Sequence, residues 1–148
     1  MEIERKYLID KDNIPCRLEE YPSRQIEQGY LCTEPVVRIR RDNEDYVLTY
    51  KSRGLMVREE YNLPLTSEAY QHLKAKIDGR LIQKTRYMLP LDNGLTIELD
   101  LFHGDLEPLI LAEVEFPDEE TAVSFQAPSW FGEDVTFSSR YHNSILSR

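Results

Sequence analysis

The chain has 148 residues, 41% hydrophobic and 30% charged, with a formal net charge of −9. This length fits one domain over residues 1–148 that buries roughly two thirds of its unfolded surface, and the composition excludes global disorder. The acidic balance excludes a general nucleic-acid or anionic-membrane binder, which is normally basic, while leaving room for a local basic cavity.

In chain order, alternating apolar and polar residues predict strands at 1–9, 26–32, 36–41, 46–53 and 56–63. Turn signals at Asp42-Asn43 and Arg53-Gly54 join neighbours closely enough to make them antiparallel. A helix follows. Thr66-Ser67 with Glu68 starts it, Ala69, Tyr70, Leu73 and Ile77 recur at helical spacing, and Asp78-Gly79 is the expected stop. Strands resume at 81–89, 95–102 and 109–116, separated by Asp92-Asn93-Gly94 and His103-Gly104-Asp105. A second helix is expected to start at Asp118, with Glu119 and Glu120 in its first turn, and a third covers 139–146. About eight antiparallel strands is a number at which sheets commonly close. The expected class is α+β, mainly β: an eight-stranded antiparallel barrel with a polar, charged interior and a few helices packed outside.

Cys16 and Cys32 have neither the spacing of a thiolate metal site nor the density of a disulfide scaffold. The chain does not open on a basic segment followed by an apolar one, and no stretch approaches the roughly 18 apolar residues of a membrane span. A cytoplasmic, reduced setting is the expectation.

Residues two apart on a strand share a face. Glu2, Glu4 and Lys6 therefore point one way, opposite Ile3, Tyr7 and Ile9. Similar sharing recurs for Arg38 with Arg40, Thr49 with Lys51, Arg58 with Glu60, Lys84 with Arg86, Glu98 with Asp100, and Glu113 with Glu115. Any one of these faces alone reads as the wet side of a one-sided sheet. Together, acid-x-acid on three strands and base-x-base on two sort the signs beyond what a solvated surface requires, because like charges repel. The acidic pairs call for a cation and the basic pairs for a polyanion; a metal-bound polyphosphate supplies both. Charges at this density cannot be buried dry. Faced inward, they make a hydrated, ligand-binding tunnel, with the apolar faces outward beneath the helices.

In these residues the chain resembles the CYTH superfamily, the triphosphate tunnel metalloenzymes. The resemblance rests on Glu2-x-Glu4-x-Lys6, Gln28-Gly29-Tyr30-Leu31, Arg38-x-Arg40, Lys51, Glu60, Lys84-x-Arg86, Glu98-x-Asp100 and Glu113-x-Glu115. It continues through Phe125-x-x-Pro128-x-Trp130-Phe131-Gly132-x-Asp134-Val135-Thr136 and Arg140-Tyr141-x-Asn143. It implies an eight-stranded antiparallel tunnel that acts on triphosphate substrates with Mg²⁺ or Mn²⁺. Members of the family include inorganic triphosphatases, thiamine triphosphatases, RNA triphosphatases and class IV adenylyl cyclases; small bacterial members are commonly the first. One departure is Ser138, which stands where the pattern has an acid.

By matching position, the resemblance implies that Glu2, Glu4, Glu98, Asp100, Glu113 and Glu115 hold the metal. Arg38, Arg40, Lys51, Lys84 and Arg86 would grip the phosphate chain, and Lys6 would contact the terminal phosphate or the attacking water. Lys6, Arg40 and Glu60 form the implied catalytic set. Arg58, on the face of Glu60, is either an added phosphate contact or a structural ion pair. Tyr30 is either packed or bonded to a tunnel lysine, and the C-terminal helix either plugs one tunnel end or caps the core. Arg5 and Arg41 read as surface, and Trp130, Phe125 and Phe131 as core. His72, His103 and His142 lie on a helix, a turn and the tail, apart from the strand carboxylates, so histidine ligation is not expected.

The expected substrate is a small triphosphate, with inorganic tripolyphosphate first and ATP or thiamine triphosphate as alternatives. Neither nucleic acid nor membrane is an expected partner, and the chain acts as a monomer or homodimer. The leading activity is hydrolysis of tripolyphosphate to pyrophosphate and orthophosphate. An adenylyl cyclase would need an adenine pocket, and a thiamine triphosphatase an aromatic surface. A non-catalytic polyphosphate binder would have little use for acidic pairs. Neutralising Glu4 or Glu113 is expected to abolish turnover and barely alter folding.

Overall fold

The computed structural model describes residues 1–148. Strands β1 (Glu2–Ile9), β2 (Ser23–Thr33), β3 (Val36–Asp42), β4 (Asp45–Lys51), β5 (Val57–Arg58), β6 (Glu60–Pro64), β7 (Asp78–Pro90), β8 (Thr96–Phe102), β9 (Ile110–Glu115) and β10 (Phe131–Asp134) form one sheet. Its order is β10-β1-β9-β8-β7-β2-β3-β4-β6, with β5 on β1, and all pairings are antiparallel. The sheet curls back on itself because residues 57–64 change partner halfway. Glu60 pairs with Lys51 of β4, while Arg58 pairs with Glu2 of β1. Glu59, at the switch, exchanges hydrogen bonds with Ser52: its carbonyl accepts from Ser52 N at 3.0 Å, and its N–H donates to Ser52 Oγ at 2.9 Å. The wall is a nearly closed barrel of eight staves, and β10 adds a short ninth strand beside the far end of β1.

The alternating pattern decides which side of the wall is apolar. Ile3, Tyr7, Ile9, Ile97, Leu99, Ala112 and Val114 point outward from β1, β8 and β9 and make the larger core cluster. Helix α2 (Glu119–Ser124) covers it with Ala122, and Ile14, Leu18, Trp130 and Phe131 pack around its edge. Helix α1 (Ser67–Lys74) lies outside the opposite wall, where Tyr70 is fully buried and stacks 5.1 Å from Tyr46. Gly29 of β2 allows this approach, since a side chain there would press on Ile77. None of the helices is long and apolar enough to cross a membrane.

Helix α1, β10 and the third predicted helix also differ from the predicted elements, each because a tertiary partner outweighs local preference. Helix α1 ends at Lys74, and β7 takes over at Asp78, which pairs with Tyr30 while Arg80 N donates to Ser147 O at 2.6 Å. The four residues of β10 become a strand only by pairing Asp134 with Tyr7 and Phe131 with Ile9. The third predicted helix is a 3-10 turn, Ser139–Tyr141, followed by one turn of α3 (Asn143–Leu146).

Candidate active site: a charged tunnel

The lumen is layered. At one end Tyr30, Val36, Ile82, Phe102, Leu111 and Val135 form a second apolar cluster, against which Leu8, Tyr141 and Leu146 pack. The C-terminal segment thus closes this end. Above it lies a cavity of about 280 Å³, whose 21 lining residues include seven carboxylates and seven basic side chains. Twelve of the fourteen predicted site residues line it: Glu2, Glu4, Lys6, Arg38, Arg40, Lys51, Arg58, Glu60, Arg86, Glu98, Glu113 and Glu115.

Strand register sets acid against acid, with Glu4 opposite Glu115 and Glu98 opposite Glu113. Like charges so placed destabilise a sheet. Burial, then Glu113 and Glu2, push the Glu4 carboxyl up to about 8. Glu115, exposed at the rim, is also raised, by partial burial and then by Glu2 and Glu98. Glu113 is in the reverse condition: burial opposes its charge, but Lys6 at 3.5 Å and Arg86 at 3.9 Å hold it well below the usual range. Glu2 and Glu60 bracket Lys51 at 2.9 and 3.3 Å. Burial raises Glu2; in Glu60 burial is overcome by the hydrogen bond with Glu2 and by Lys51, which hold it at about 2.

The basic wall is short of anions. Arg40 bonds only the neutral Gln28 Oε1, at 2.8 Å; burial, then Arg38 and Arg86, lower its guanidinium to about 9. An arginine keeps its proton in practice, so the strain is electrostatic and an anion relieves it. Arg38 reaches Thr49 Oγ1 at 3.2 Å, but its Nε is buried with no partner. Arg58 lies 3.6 Å from Glu2 and 4.0 Å from Glu4 while lining the cavity, so it is an ion-pair member that also faces the site. The Tyr30 hydroxyl accepts from Gln28 Nε2 at 3.3 Å.

Lys84 and Asp100, both expected to touch ligand, lie behind the cavity surface. Lys84 Nζ is 2.7 Å from Asp100, and neither side chain is exposed. Register places Asp100 opposite Arg86, which grips it at 2.7 and 2.8 Å and reaches Glu98 at 3.0 Å. In this arrangement Asp100 holds Arg86 in place, and Lys84 pairs with Asp100 from behind. Burial lowers the Lys84 ammonium to about 7.

Several lining residues escaped the sequence reading. Arg24 enters because β2 begins three residues before its predicted start; it reaches Asp42 at 3.1 Å and Glu98 at 3.6 Å. Its shared parity with Gln28 was the available signal. Asn62 bonds Thr49 and Glu60. His142, Asn143 and Ser144 arrive by the folding back of the tail, for which no local pattern exists. Ser138 starts the 3-10 turn without a side-chain cap bond. Arg5 is outward as expected, tying β1 to Asp134 and to the Ala122 carbonyl.

The carboxylates offer hard oxygen donors that suit a divalent cation. No three Asp, Glu, His or Cys side chains converge as a ligand set in this arrangement. Lys6, Lys51 and Arg86 occupy the acids instead. The donor chemistry fits a metal.

Fold and site together define a tunnel protein for multiply charged anions, its lumen lined by carboxylates and basic side chains together. A model of the CYTH domain matches residues 1–147, and the chain belongs to this family. It is 41% identical to an inorganic triphosphatase of Nitrosomonas europaea, covering 99% of this chain and 96% of that protein. A second inorganic triphosphatase, from Acetivibrio thermocellus, is 36% identical over 98% of this chain and 92% of that one. The crystal structure of the inorganic triphosphatase NE1496 superposes with a TM-score of 0.72 at 38% identity, covering 99% and 94% of the two chains. Triphosphatases of this family depend on a metal ion.

Proposed function

We propose that the protein hydrolyses inorganic tripolyphosphate to pyrophosphate and orthophosphate with Mg²⁺ or Mn²⁺. One observation carries the reading: the cavity lining balances seven carboxylates with seven bases. A bare polyphosphate would leave such a site strongly negative, whereas one accompanied by divalent cations keeps it near neutral. Two full-length relatives named inorganic triphosphatase support it. Only Tyr30, Val36 and Val47 of the lining residues are hydrophobic, so the cavity favours an inorganic chain over a nucleotide or thiamine ester.

Glu2, Glu4, Glu98, Glu113 and Glu115 would hold the cation, with Asp100 and Lys84 supporting Arg86 behind them. When bound, the cation supplies neutralisation of phosphate oxygens and polarisation of the reacting phosphoryl group. Arg38, Arg40, Lys51, Arg58 and Arg86 bind and align the phosphate chain, and Lys6 holds the terminal phosphoryl. Water attacks the terminal phosphorus in line; the bond to the bridging oxygen breaks, and that oxygen leaves on pyrophosphate. Arg40 offsets charge as it develops. Glu60, beside Lys51 and bonded by Asn62, orients the attacking water, whose proton passes to a phosphate oxygen of the products.

Product analysis tests this. Purified protein with Mg²⁺ or Mn²⁺ is offered tripolyphosphate, ATP and thiamine triphosphate separately, and orthophosphate, pyrophosphate and cyclic AMP are followed. Orthophosphate chiefly from tripolyphosphate is the expected result; cyclic AMP from ATP, or no product from any of the three, overturns it.

A further inference from the structure

The C-terminal segment enters the lumen beside the tunnel lysines. The Tyr141 carbonyl accepts from Lys6 Nζ at 3.2 Å, and Asn143 Oδ1 accepts from Lys84 Nζ at 3.3 Å. Between these anchors, His142 is 9% exposed and lines the main cavity. It also lines a smaller cavity of about 230 Å³, shared with Val36, Arg58 and Ser144, and so forms part of the partition between the two. Its ring differs from that of His103, whose Nε2 lies 2.7 Å from Thr85 Oγ1: no hydrogen-bond or ion-pair partner holds the His142 imidazole.

The ring nitrogens of His142 keep contact with solvent and are bonded to no protein group, which leaves them free to bond the cavity's occupant. The charged groups facing it are Lys6 from β1, Arg58 from β5, Lys51 from β4 and Glu113 from β9. Burial, then Lys6 and Arg58, keep the imidazole uncharged, lowering it to about 4. A fourth cation would be repelled here; a neutral N–H adds a hydrogen bond without adding charge.

We propose that His142 is a further catalytic residue, its imidazole N–H donating to a terminal phosphate oxygen of the chain held by Lys6 and Arg58. This rests on the reading of the tunnel as a triphosphate site. Lys6 holds the backbone carbonyl before His142 and Lys84 holds the Asn143 side chain after it, so the segment that carries the ring is anchored before substrate arrives. A fixed donor at the terminal phosphoryl holds it in line with the attacking water.

The test combines calorimetry, imidazole ¹⁵N spectroscopy and kinetics on the full chain. Tripolyphosphate is titrated without metal while the ring resonances of the three histidines are followed, with H142Q assigning those of His142. The proposal expects the His142 resonances to move on saturation. It also expects H142A to lose about 10- to 100-fold in kcat/KM, the range of a hydrogen bond to a charged group, and H142Q, which keeps a donor, to recover most of it. Tripolyphosphate that binds without moving the ring overturns the assignment and leaves the tunnel reading standing. Equal losses in H142A and H142Q with matching falls in melting temperature show a packing role and also overturn it. Failure of the wild-type protein to bind tripolyphosphate in both the absence and the presence of Mg²⁺ overturns both.

Discussion

Glu4 and Glu113 sit on neighbouring strands of one lumen, yet burial leaves them in different electrostatic conditions. Glu4 is crowded by other acids; Glu113 is held by Lys6 and Arg86. The expectation that either could be neutralised without affecting folding is therefore kept only for Glu4. Glu4→Gln should abolish turnover and leave the melting temperature unchanged or higher. Glu113→Gln should also abolish turnover, but should destabilise by roughly 3 kcal/mol, because it strips a buried lysine of its carboxylate. Chemical denaturation of both variants decides this; equal stabilities would refute the contrast. The pH dependence follows the same residue. The folded pKa of Glu4, about 8, exceeds its ordinary 4.5, so the folded state binds the extra proton between these values. Its contribution is present below about pH 4.5 and is lost as pH rises toward 8. In chelator, Glu4→Gln should gain melting temperature relative to wild type across that window. A constant difference would argue against a raised Glu4.

The helices outside the barrel are held by identifiable single contacts. Thr66 Oγ1 caps α1 by accepting from Ala69 N at 3.0 Å, and the Tyr70 hydroxyl donates to Glu27 Oε1 at 2.8 Å. Asp118 caps α2, accepting from Thr121 N at 2.7 Å. Tyr70→Phe and Asp118→Ala should each cost about 1 kcal/mol of stability by denaturant titration, with kcat unchanged. A large loss of kcat in either would mean that these helices shape the lumen directly. Both helix starts were visible as cap residues. The end of α1 was not, because its stop depends on β7 pairing with β2 and with the tail. The break at Glu59 was hidden for the same kind of reason: residues 56–63 alternate like one strand, and only the two different neighbours divide them.

At the scale of the molecule, the balanced lining couples cation to anion. Either ion alone unbalances the formal seven carboxylates against seven bases, and divalent cations bound with the polyphosphate bring the site back toward neutrality. Binding stabilises the folded state by mass action. Melting temperature measured with Mg²⁺, with tripolyphosphate, and with both should rise by more in the third case than by the first two combined. Simple additivity would mean that the sites are independent, and a fall with tripolyphosphate alone would mean that the arginines are not its site.

Period-two alternation by itself determined that acids and bases would face one side of the strands, and strand number with short turns determined a barrel. Twelve of the fourteen predicted residues line the cavity for that reason, since parity along a strand is a local property. Parity says which face a side chain takes, but not how deep it lies or what stands across from it. Register and closure decided that Asp100 and Lys84 lie behind Arg86, that Glu4 is crowded while Glu113 is paired, and that His142 is carried into the lumen. Those outcomes depend on residues far apart in the chain, brought together only when the sheet closes and the tail folds back.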